Sequence, residues 1–71
     1  MNPRIVGYYT DLNIAEKHLK KIGKMYREKG FIAHYTSNIK RLAIKTSPKN
    51  VFATYTIQTH KVNKIGILNI K

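Results

Sequence analysis

The sequence predicts a small α+β domain in which one helix packs against an antiparallel sheet of four or five strands. In one segment only, apolar residues recur at spacings of three and four, which is typical of an amphipathic helix. Five other segments are rich in β-branched and aromatic residues, which favours strands. Short turns separate the last four of those segments, and short turns join antiparallel strands. The predicted order is therefore β-α-β-β-β-β, in a single small basic domain covering residues 1–71.

The helix is predicted for residues 12–29. Asp11 or Asn13 can cap its start, and Asn13 with Glu16 has the spacing of a capping box. Gly30 is well placed to end the helix, since glycine readily adopts the left-handed conformation found just after many helices. The predicted core-facing stripe consists of Leu12, Ala15, Leu19, Ile22 and Tyr26.

The five strands are predicted for residues 4–10, 31–36, 41–46, 51–59 and 64–70. Serine, asparagine, proline and lysine fill the short intervals between the last four, which is typical of turns. The position of the first strand stays open at this point, because it can pair at an edge of the sheet or insert centrally.

The segment 51–59 predicts an apolar face under the helix and a mostly polar face left uncovered. The inward residues are Val51, Ala53, Tyr55 and Ile57. The outward residues are Phe52, Thr54, Thr56 and Gln58. Arg41 and Lys45 alternate with apolar neighbours in the preceding strand, so we expect them on the same uncovered face. Phe52 stands out there, and it can stack on an unpaired base, contact a partner or pack under a loop.

The net charge of +11 on 71 residues is the main functional signal, because 14 Lys and Arg face only three acids. A charge about half this size would keep a small domain soluble, so the excess favours a polyanionic partner. Five cations fall on a helical arc opposite the apolar stripe, although a merely solvated lysine face would give the same pattern. These are Lys17, Lys20, Lys21, Lys24 and Arg27.

We therefore expect a non-enzymatic protein that binds DNA or RNA through its phosphate backbone, as a monomer or homodimer and without a cofactor or metal. The helix cations would bind the phosphate backbone of the nucleic acid. Further contacts would come from the sheet residues Arg41, Lys45, Thr54, Thr56 and Gln58. The alternative is a small inhibitor or accessory protein, of the kind that phages and mobile elements encode, docking on an acidic or nucleic-acid-binding surface of a larger protein.

Enzymatic sites are poorly supported by the sequence. The three carboxylates are spread along the helix region, cysteine is absent and no glycine-rich phosphate loop occurs. One option left open is that His34 and His60 meet in space and cleave RNA by acid–base chemistry. The apolar runs are too short for a signal peptide or a membrane span, so we expect a soluble, intracellular protein.

Overall fold

A computed structural model describes residues 4–61 and 64–70, and it confirms the predicted α+β architecture. One helix lies on one side of a five-stranded antiparallel sheet, whose strand order is β1-β5-β4-β3-β2. The elements are β1 (Arg4–Tyr9), α1 (Leu12–Glu28), β2 (Ile32–Thr36), β3 (Arg41–Ser47), β4 (Asn50–Lys61) and β5 (Lys64–Asn69).

The helix connects the two edges of the sheet. β1 pairs with β5 at one edge, which settles the strand position that the sequence left open, and β2 pairs with β3 at the other edge. A helix of 17 residues is about 25 Å long, whereas five strands at about 4.8 Å spacing span roughly 19 Å. The helix is therefore long enough to cross the sheet, and it contacts all five strands.

The helix begins at Asp11, whose carboxylate accepts a hydrogen bond from the backbone N–H of Asn13 at 2.7 Å. The capping box predicted from Asn13 and Glu16 is wrong, because the Glu16 carboxylate reaches the sheet instead. It accepts a hydrogen bond from the Tyr35 hydroxyl at 2.5 Å and lies 3.3 Å from the Lys40 ammonium. Glu16 thus ties the helix to β2 and to the turn that follows it.

The helix ends as predicted at Gly30, which has φ +93°. The Gly30 N–H donates to the Arg27 carbonyl and the Phe31 N–H donates to the Tyr26 carbonyl, both at 3.0 Å. This pair of bonds is a Schellman motif, which also favours an apolar contact between the residues at its two ends. The Tyr26 and Phe31 rings supply that contact, with centroids 5.3 Å apart.

The core lies between the helix and the sheet. Four of the five predicted stripe residues face it, but Leu12 is 41% exposed because it occupies the first helical position, beyond the sheet contact. The hydroxyls of Tyr26 and Tyr55 share a hydrogen bond at 3.1 Å beneath the helix. Burial, together with that bond, raises the pKa of Tyr55 to about 12. The largest fully buried side chains are Leu19, Leu42, Ile44 and Ile67.

β4 contains a bulge, and because of it the predicted placement of two residues is wrong. Ile44 lies opposite Ala53 while Lys45 lies opposite Val51, so Phe52 is the extra residue. Phe52 consequently packs toward the helix end, 5.0 Å from the Phe31 ring centroid, rather than on the polar face. Val51 is turned outward with Lys45 and is 38% exposed, so it is not part of the covered apolar face.

Candidate nucleic-acid interface

The outer face of the helix carries a row of three lysines, which we call the helix lysine row: Lys17, Lys21 and Lys24. All three residues are exposed. At 1.5 Å per residue they follow one another at about 6 Å and 4.5 Å along the helix axis. Among residues 4–61 and 64–70, no hydrogen bond, ion pair or ring contact engages their ammonium groups. These cations are therefore available to an external anion.

The two other predicted helix cations, Lys20 and Arg27, are exposed but held toward β2. The Lys20 ammonium lies 5.6 Å from the centroid of the Tyr35 ring. The Arg27 guanidinium donates to the Ala33 carbonyl through Nε and Nη2, at 3.3 and 3.0 Å. This bond covers a carbonyl on an edge strand, where unpaired backbone groups invite pairing with another chain. Arg27 thus links the helix to β2, and it flanks the helix lysine row without being part of it.

Two of the three acids are engaged away from the helix lysine row. Asp11 caps the helix N-terminus, and Glu16 is committed to Tyr35 and Lys40. The hydrogen bond from Tyr35, and then the nearby Lys40, lower the pKa of Glu16 below its ordinary value. The third acid, Glu28, follows Lys24 by one helical turn on the same face and makes no ion pair within 4 Å among the described residues. It lines a shallow groove with five neighbours, namely His18, Lys21, Ile22, Lys24 and Met25.

The sheet side facing away from the helix, which we call the open sheet face, carries the other predicted residues. Arg41 lies opposite Thr56 on the adjacent strand, and Lys45 is on the same side of β3. Thr54 and Gln58 follow the same alternation along β4, and Gln58 is exposed. Thr56 is only 4% exposed, so its hydroxyl offers little surface to a ligand.

Two further residues of the open sheet face were not among the predicted binding residues. Tyr8 lies opposite Gly66, and it is 51% exposed. The Lys64 ammonium lies 5.5 Å from the centroid of the Tyr8 ring, so the two side chains share this face. Tyr9 points the other way, where its hydroxyl is hydrogen-bonded to Nδ1 of His18. Only the β1–β5 pairing identifies Tyr8 and Lys64 as neighbours, because 55 residues of chain lie between them.

The two predicted groups of binding residues lie on opposite sides of the molecule. The helix lysine row points away from the sheet, whereas Arg41, Lys45 and Gln58 point away from the helix. The structure therefore does not bring them together into one contact surface. A single straight polyanion can engage one of these faces but not both.

The histidine pair considered for RNA cleavage is not assembled. His34 lies opposite Ala43, which lies opposite Thr54, and His60 is six residues farther along β4. At about 3.3 Å per residue this places the two backbone positions roughly 20 Å apart along the strand direction. In the parts of the chain that the structure describes, there is also no cluster of three or more metal-ligating side chains.

The one helix described is too short and too polar to cross a membrane. Comparison with protein-family models, with curated proteins and with solved structures finds no match to this chain.

Proposed function

We propose that this protein is a non-enzymatic nucleic-acid-binding protein that holds the phosphate backbone of DNA or RNA on its helix lysine row. The observation that carries the proposal is the row itself: three exposed ammonium groups in line, with no partner among the described residues, in a chain of net charge +11. Each phosphate that a lysine neutralises releases a condensed counterion, which favours binding.

The close spacing of the helix lysines destabilises the isolated protein, and this supports the proposal of an external anionic partner. Lys17 and Lys21 are four residues apart on the helix, as are Lys20 and Lys24. Each such like-charge pair destabilises a helix by a few tenths of a kcal/mol. A nucleic-acid phosphate placed between two of these ammonium groups attracts both of them, and this attraction outweighs their mutual repulsion. Lys20 and Arg27 add positive potential at the flank while they keep their contacts to β2.

The test compares two variants with the same net charge. In one, the helix lysine row is removed by K17Q/K21Q/K24Q. In the control, three exposed cations scattered over a strand start, the helix end and a turn are removed by R4Q/K29Q/K49Q. Fluorescence anisotropy measures binding to a short random-sequence duplex, to single-stranded DNA and to RNA at low salt.

We expect the row variant to lose about tenfold or more in affinity, because three phosphate contacts are removed together, while the control stays within about twofold of the wild type. Equal losses in both variants would show that only overall charge matters. A wild-type protein that binds no nucleic acid at low salt, and instead retains a protein partner from nuclease-treated lysate, would favour the inhibitor alternative and contradict the proposal.

A further inference from the structure

We infer that the protein bridges two nucleic-acid segments, with the open sheet face acting as a second phosphate-binding surface opposite the helix lysine row. This inference rests on the proposed function, and it extends that function from a single contact to a two-sided one. The reasons lie in the charge of the open sheet face, in the place of its apolar residues and in the distance between the two faces.

The described charges of the open sheet face are all positive. Arg41 and Lys45 lie on β3, four residues and therefore about 13 Å apart, and Lys64 lies on β5. All three acids of the chain are on the helix or at its N-terminus. The partly exposed Thr54 and the exposed Gln58 on β4, between those strands, add hydrogen-bonding groups suited to phosphate oxygens.

A polyanion fits this face better than a second copy of the chain does. Two copies placed face to face would oppose Arg41, Lys45 and Lys64 with the same cations, and like charges across an interface are strongly unfavourable. The exposed apolar residues of the face also do not form a continuous patch. Ile32 (44% exposed) and Val51 (38% exposed) lie on either side of Lys45, which separates them, and Ile5 (47% exposed) lies on the far edge strand β1.

The two cationic faces are far enough apart to act separately. The Cα trace measures 20 Å across its shortest dimension, and the charged side chains extend outward beyond it. The Debye length at physiological salt is about 8 Å, so an anion bound on one face hardly screens the cations of the other. A nucleic acid on the helix side therefore leaves the open sheet face free to hold another.

A co-capture experiment tests the bridge. An immobilised duplex is incubated with the protein and then with a fluorescent second duplex, and the retained fluorescence is measured. The wild type is compared with K17Q/K21Q/K24Q and with R41Q/K45Q/K64Q, which remove equal charge from the two faces. The double variant R41Q/K45Q, which keeps the Lys64–Tyr8 contact, replaces the triple if that variant does not fold.

We expect the wild type to retain the second duplex, and each face variant to retain about tenfold less while still binding a single duplex in anisotropy measurements. The free protein should sediment as a monomer. Binding without co-capture by the wild type overturns the bridge but leaves the proposed function intact, whereas no binding at all overturns the proposed function. Undiminished co-capture by the sheet-face variant overturns the inference, as does a wild-type dimer that this variant abolishes.

Discussion

Replacing Gly23 with alanine should destabilise the protein, although alanine is the better helix former. Gly23 is buried at the point where the helix approaches the sheet. A Cβ at this position would meet Leu42 Cδ1 at 3.0 Å, Leu42 Cδ2 at 3.6 Å and Ala33 Cβ at 3.7 Å. The first of these distances is shorter than ordinary van der Waals contact, so either Leu42 or the helix must shift.

The magnitude follows from two opposing effects. Alanine gains up to about 1 kcal/mol of helix propensity over glycine. Overfilling a packed core typically costs about 1–3 kcal/mol, and Leu42 is fully buried with little room to move. The balance predicts that G23A lowers the free energy of unfolding by about 1 kcal/mol, which for a domain of this size lowers Tm by roughly 4–8 °C.

The companion substitution L42V removes the obstructing methyl carbons. It should cost about 1 kcal/mol alone, but in that background G23A should become neutral or stabilising, which corresponds to a coupling of about 1–2 kcal/mol. Urea denaturation of the four proteins, followed by circular dichroism, measures the cycle. If G23A stabilises the wild-type chain, or if the two substitutions are simply additive, the close approach of helix and sheet is refuted.

Two further predictions concern the helix end and the helix–sheet tie. Gly30→Ala should lower the free energy of unfolding by about 1 kcal/mol, measured by thermal denaturation, because φ is +93° while no atom lies within 4 Å of the added Cβ. An unchanged Tm would contradict that conformation. Tyr35→Phe removes the hydrogen bond that is the main cause of the lowered pKa of Glu16. The substitution should therefore lower the free energy of unfolding in full above the ordinary carboxyl pKa of 4.5, and its effect should shrink as pH falls through the lowered pKa of Glu16. Urea titrations across this range check it, and an effect independent of pH would show that the hydrogen bond does not perturb Glu16.

Local patterns were sufficient to predict most of the fold. The helix, its end at Gly30 and all five strands follow from periodicity and from turn residues. The bulge at Phe52 did not, because it depends on how β4 pairs with β3 and on the space beside Tyr26 and Phe31. The place of β1 at the sheet edge likewise depends on its pairing with β5, which no local pattern specifies.

The sequence predicted the side of the molecule on which most candidate residues lie, but not how the two sides are arranged. Alternation correctly placed Arg41 and Gln58 on the uncovered side of the sheet, and helical spacing placed the lysines outward. Both groups were predicted to contact the same nucleic acid, whereas packing of the helix on the sheet puts them on opposite sides of the molecule. The contacts of Lys20 and Arg27 with β2 could not be predicted either, since they depend on which strand lies next to this side of the helix.

The salt dependence of binding tests the central claim most directly, because it counts the phosphates that the protein neutralises. If the helix lysine row and the flanking Lys20 and Arg27 together cover about five phosphates, the logarithm of the association constant for duplex DNA should fall against the logarithm of salt concentration with a slope near −4.5. Removing the helix lysine row by K17Q/K21Q/K24Q should reduce that slope to about −2. A wild-type slope near zero, or the same slope in the wild type and this variant, would contradict phosphate binding by the helix lysine row.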